Sequence, residues 1–311
     1  MTTATLEATE TNANVYDKTT CLLVRFHKTG LIRKGDMSKV ETPADKKKMR
    51  LGKQILSSDS YDTMLTIARD CRRYIKKRDL PSPFKEGSHM IPVSLVTDID
   101  QKVENARGGF ELMADQFVGE YLERVEQAKA DLKDQWDARN YYTKKDLSSL
   151  RAKFWVEFRW FDFSPASTTK VGDVIANREK QKSVAEVQDM AMQIKGALRT
   201  GLRKLISHLV ERLTPKADGS RKQFAPTTVN KVVEFLELFT ARNVVGDNEL
   251  ALLANRATEI LQGVDPRSLK DNDAAAAVVA TQMGEVNTQL DALIQDMPER
   301  ALQLDEDEDE D

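Results

Sequence analysis

The feature that most constrains this chain is a stripe of twelve residues: Val96, Ile99, Val103, Ala106, Phe110, Met113, Phe117, Tyr121, Val125, Ala128, Leu132 and Trp136. Every step along it is three or four, and the mean is about 3.6, the period of a straight α-helix. A helix over all of these positions would be on the order of 60 Å long. A rod of that length has to bury one face from end to end. A second stripe repeats the pattern through Val184, Val187, Ala191, Ile194, Leu198, Leu202, Leu205, Leu209 and Leu213, and Pro215 with the loop KADGSRKQ ends it. Gly108 and Gly109 fall inside the first stripe. Each costs about 1 kcal/mol relative to Ala there, so they mark a bend or a close helix crossing.

Shorter helices follow from the same reading. SSDSYDTMLTIARDCRRYIKKRDLPSP has Ser58 or Asp59 as its cap, apolar positions at helical spacing, and Pro81 and Pro83 as its stop. Thr143 with Asp146 opens a short helix. Thr227 or Thr228 opens another, with Val229, Val232, Val233, Leu236 and Phe239 inward. Asp247 caps the next, with Leu250, Ala254, Ala257 and Leu261 inward and Gly263 at its end. The alanine-rich run from Asp273 is the last. TGLIRKGDMSKVETPADKKK reads as a loop or extended excursion that turns helical near Pro43.

Two segments break the helical pattern. TCLLVRFHK alternates from Thr20, and KFWVEFRWFDFSP, from Lys153 to Pro165, holds six of the chain's twenty aromatics. Both parities of the latter are largely aromatic, so both faces need cover, and a lone strand leaves its backbone unsatisfied. The economical solution pairs the two. The predicted fold is therefore mainly α: an elongated bundle of long, coiled-coil-like amphipathic helices with a minor two-stranded β-sheet joining 20–27 to 153–163. It forms a single helical domain over 18–298, between a disordered arm at 1–17 and a disordered acidic tail at 299–311.

Charge is unevenly distributed. The net charge is −3, but seven acids crowd the end: Asp305, Glu306, Asp307, Glu308, Asp309, Glu310 and Asp311. Residues 1–90 carry 18 Lys and Arg against 11 Asp and Glu. Lys46, Lys47, Lys48 and Arg50 form one basic cluster, and Arg72, Arg73, Lys76, Lys77 and Arg78 another. Such clusters neutralise phosphates or contact a protein partner, and a polyanionic tail can compete for them. No apolar run approaches the length of a membrane span, and the first residues lack the apolar centre of a signal peptide. Cys21 and Cys71 read as two buried free thiols of a cytoplasmic protein.

Reactive chemistry is not written in any motif. The chain has no phosphate-binding glycine loop, no CxxC and no HExxH, and His27, His89 and His208 stand far apart. No catalytic residue, metal ligand or cofactor is predicted. Glu157 and Arg159 share a strand parity, as in some metal-dependent nucleases, but strand 20–27 supplies no aspartate to complete such a site. A cross-strand ion pair between Glu157 and Arg25 is the expectation instead.

The order of these features resembles a known family. A strand near the N-terminus leads through a basic link to a helix with an LPSPF break, then to a long helix begun at IP. An FWVEFRWF strand and a helical half containing VDPRSL follow. This is similar to the bacterial and phage domain-of-unknown-function family 3150, over about residues 19–296. The family has no established catalytic residues, and its members are often encoded beside MoxR-type AAA+ ATPases. The resemblance implies a non-enzymatic scaffold or adaptor with such an ATPase as partner. The alternative reading is a nucleic-acid-binding protein whose acidic tail regulates access.

Overall fold

The structure is a computed structural model that describes residues 15, 17–45, 48–82, 88–162, 173–216, 220, 222–295 and 297. The predicted arm, apart from Val15 and Asp17, and the predicted tail over 299–311 lie outside these residues.

The chain is mainly helical. In order it forms β1 (Thr19–His27), β2 (Ile32–Lys34), β3 (Gly52–Gln54), α1 (Asp59–Lys76), β4 (Ser88–Pro92), α2 (Val96–Leu132), α3 (Leu147–Arg151), β5 (Trp155–Phe161), α4 (Asp173–Leu213), α5 (Thr227–Arg242), α6 (Asn248–Leu261), α7 (Ser268–Asp271) and α8 (Asp273–Gln295). Strand β1 neighbours β5, as the alternation predicts, but the sheet has three strands in the order β4-β1-β5, not two. The extra strand is SHMIP, just ahead of the long helix α2. A separate antiparallel ribbon pairs β2 with β3, Arg33 opposite Lys53. It closes the loop expected to turn helical near Pro43, where the described residues form no α-helix.

Two compact units share the chain. One, here the basic unit, comprises Leu22–Lys77 and Val96–Trp160; the other, the helical unit, comprises Met1–Cys21, Arg78–Leu95 and Phe161–Asp311. In sequence the basic unit holds 26 Lys and Arg against 19 Asp and Glu, a net of +7, and the helical unit 21 against 31.

In the basic unit α1 packs on α2. Ser58 caps α1, its hydroxyl accepting from the Tyr61 backbone N–H at 3.2 Å and donating to Glu120 Oε1 on α2 at 2.6 Å. Hydrogen bonds from Ser58, Ser60 and Arg124 outweigh the effect of burial and hold the Glu120 carboxyl below its usual range. The α2 stripe is buried at Ile99, Val103, Ala106, Phe110, Phe117, Tyr121 and Ala128, with Ala114 taking the place expected for Met113. Gly109 marks a close crossing: a Cβ there would stand 3.3 Å from Ile67 Cδ1 on α1. Phe117 is fully buried, with its ring centroid 5.4 Å from that of Tyr61, 5.6 Å from Phe154 and 5.7 Å from Tyr121. The aromatic run thus supplies part of this core through Phe154 and Val156. Trp160 donates from Nε1 to Asp100 Oδ1 at 2.7 Å. The short helix α3 opens on the predicted capping box of Thr143 and Asp146.

In the helical unit α4, α5, α6 and α8 enclose one core. It includes Ile194, Leu198, Leu202 and Leu209 of α4, Val232 and Phe239 of α5, Leu250 and Ala257 of α6, and Met283, Val286 and Leu290 of α8. Val15, Leu80 and Met90 join it. The side chain of Val184 lies outside the described residues. Gly263 follows α6 at φ +74°, the left-handed conformation that its place in the sequence predicts. One ion cluster sits inside this core. The Arg199 guanidinium, 3% exposed, donates to both oxygens of Asp247 at 2.7 and 3.0 Å, to Glu249 Oε2 at 2.8 Å and to the Leu293 carbonyl at 2.7 Å. Asp247 also caps α6, accepting from the Leu250 N–H at 3.2 Å. Both cysteines are free and buried, and burial pushes each thiol up to about 11.

Candidate nucleic-acid interface

The amphipathicity of α1 decides where its cations point. With Tyr61, Met64, Ala68, Cys71 and Ile75 buried on one face, Arg69, Arg72, Arg73 and Lys76 fall on the other and are exposed. Lys77 is exposed as the C-cap, and Arg78 is half-buried. Cations here also complement the C-terminal end of the helix dipole, each by about 0.3–1 kcal/mol. Arg73 lies 3.8 Å from Asp70, an exposed pair of little energetic weight.

Cations from two other elements converge on α1. Lys28, just past the end of β1, has its ammonium pKa lowered, first by partial burial and then by the charge of Arg72. The Arg72 guanidinium stands 5.2 Å from the Phe26 ring, and Lys102 Nζ of α2 stands 5.6 Å from the Tyr74 ring. Lys28 and Lys102 were not among the residues singled out from sequence. They are isolated in the chain and are gathered only by the packing of β1 and α2 against α1. Lys28 and Arg72 feel each other's charge, and repulsion between like charges is relieved when a polyanion binds.

The outward face of β1 and β5 is a second polar surface. Arg25 Nη1 lies 3.7 Å from Glu157 Oε2, the expected cross-strand pair, and His27 Nε2 lies 3.5 Å from the same oxygen. The His27 ring stacks on Trp155 with centroids 3.8 Å apart and planes within 4°. Trp155 is 45% exposed, and Arg159 of the same parity is also exposed.

The other predicted cluster is dispersed. Lys48 and Arg50 are exposed on the segment between β2 and β3, and Lys46 and Lys47 lie outside the described residues. Neighbouring lysines of that segment have structural work: Lys39 Nζ donates to the Asp134 carbonyl and Lys53 Nζ to the Gln135 carbonyl. Both carbonyls belong to the turn just past α2, where carbonyls without helical partners accept from cations. The acids Asp305 to Asp311 lie outside the described residues.

Of the histidines, His89 Nδ1 lies 2.7 Å from Asp79 Oδ2, His27 meets Glu157 as above, and His208 is exposed on α4. No group of three or more His, Cys, Asp or Glu that could hold a metal occurs among the described residues, and no described helix is long and apolar enough to cross a membrane. Comparison of the chain with protein-family models, with curated proteins and with solved structures returned no match.

Proposed function

We propose that this is a non-enzymatic binding protein whose basic unit holds nucleic acid by its phosphates. The observation that carries the reading is the convergence of Lys28, Arg72 and Lys102, beside the exposed Arg69, Arg73 and Lys76, on a unit of net charge +7. Each phosphate neutralised releases condensed counterions, so affinity falls with salt at a slope of about 0.7–0.9 per contact. The triple variant Arg72→Glu, Arg73→Glu, Lys76→Glu changes only exposed side chains of α1. It is expected to weaken DNA binding more than tenfold at about 50 mM salt and to flatten the salt dependence by about 2–3 units of slope. Titration of labelled oligonucleotide against salt checks both, with deletion of residues 305–311 as a further arm in which affinity rises. Wild-type protein that fails to bind, or a triple variant that binds as wild type does, overturns the reading.

A second reading, the adaptor with a MoxR-type ATPase as partner, draws on the family resemblance and on one observation. Leu252 on α6 and Val278 on α8 are 71% and 56% exposed, apolar side chains that a protein partner would cover. Light scattering with and without the ATPase tests it. A summed mass supports the adaptor, and independent scattering at micromolar concentration removes it.

A further inference from the structure

We infer that the outward face of β1 and β5 is a stacking platform for the bases of single-stranded nucleic acid, an inference that rests on the nucleic-acid reading above and narrows it to unpaired strands. Base stacking needs a flat aromatic surface, open to solvent and fixed in orientation before the strand arrives. The three tryptophans differ in this respect. Trp136 is stacked on Tyr141 with centroids 4.1 Å apart, and Trp160 is committed to Asp100 through its indole N–H. Trp155 alone among them is exposed, at 45%.

Its orientation is fixed by its neighbours. His27 lies parallel to the indole at 3.8 Å, and Glu157 Oε2 lies 3.5 Å from His27 Nε2, a nitrogen shielded from water. Glu157 is in turn held at 3.7 Å by Arg25. The indole therefore sits on a braced ring rather than swinging freely, and less rotamer entropy is lost when a base docks. Arg25 and Arg159 stand on the same face, two residues along each strand from His27 and Glu157 respectively, so cations continue the face away from the aromatic on both strands. The single acid on the face, Glu157, is already paired with Arg25 and His27. A duplex keeps its base faces stacked inside and offers this platform only phosphates, whereas a single strand offers both.

The test uses the full chain and two labelled DNAs, a thymidine oligomer of about 16 nucleotides and a hairpin duplex of similar charge. Trp155→Ala is expected to weaken binding of the single strand about tenfold, the loss of one stacked base, and to change duplex binding less than about twofold. Trp155→Phe is expected to restore most of the lost affinity. An unchanged melting temperature for both variants would show that the fold is intact. Equal losses on the two DNAs, or no loss on either, overturn the platform. If the α1 triple variant still loses binding in that case, the nucleic-acid reading stands without it. If wild type binds neither DNA, both fall together.

Discussion

Asp247→Ala should destabilise the helical unit by about 3–5 kcal/mol, because it leaves the Arg199 guanidinium inside the core without its main counter-charge. Arg199 is 3% exposed and Asp247 is 3% exposed, so water cannot replace the lost partner without opening the core around them. Burial opposes the charge on Arg199, and the hydrogen bonds and charges of Asp247 and then Glu249 outweigh it, so the group stays protonated in the intact cluster. The Glu249 side chain is 66% exposed and cannot carry the compensation alone. The cap of α6 is removed by the same substitution, which adds about 1 kcal/mol. Urea unfolding followed by circular dichroism reads the loss. Replacing both partners, Arg199→Met with Asp247→Leu, should cost less than Asp247→Ala alone, since no buried charge is then stranded. A double variant worse than the single, or a single variant that loses under about 1 kcal/mol, would show that the cluster contributes little.

Phe117→Ala should cost the basic unit about 3–5 kcal/mol. Its ring meets Tyr61 of α1, Phe154 ahead of β5 and Tyr121 of its own helix, so its removal leaves a cavity among three side chains that come from separate segments. Those rings are themselves tied down. Tyr61 donates from its hydroxyl to the Thr29 carbonyl at 2.9 Å, and the Tyr121 hydroxyl accepts from the Tyr142 N–H at 3.1 Å, so neither can collapse into the space freely. Phe117→Leu keeps most of the volume and should cost much less, about 1–2 kcal/mol. Thermal unfolding of the two variants checks the order. An alanine variant as stable as the leucine variant would mean that the site relaxes and that this cluster is not the centre of the core.

What the sequence made legible was whatever periodicity and capping chemistry control. The α2 stripe, the Ser58 cap, the Thr143–Asp146 box, the Asp247 cap and the glycine after α6 all sit where residue types predict. The stripe erred at its far end, where Trp136 keeps the spacing although the helix has stopped at Leu132 and Lys133 has turned to φ +42°. What holds that turn comes from elsewhere in the chain. Lys39 and Lys53 donate to its carbonyls, and Gln135 exchanges hydrogen bonds with the Asp36 backbone at 3.1 Å in each direction. No local pattern encodes such contacts. The extended character of the β2–β3 segment was legible but its pairing was not, for the same reason, and β4 was missed because five residues ending in proline resemble a helix approach as much as a strand.

The candidate site divides along the same line. The run of cations on α1 is local and visible in the sequence. Lys28 and Lys102 became part of the site only because β1 and α2 pack beside that helix. The stack of His27 on Trp155 depends on the register of two strands more than a hundred residues apart, which alternation alone does not fix.

The way the units share the chain also sets an order of assembly during synthesis. Every residue of the basic unit has been made once Trp160 has left the ribosome, so it can close on itself early. The helical unit cannot: its first pieces, with Val15, Leu80 and Met90, emerge long before the helices of α4 to α8 that will cover them. Until those arrive, these greasy side chains wait uncovered, an interval in which a chaperone or a second nascent chain would find them.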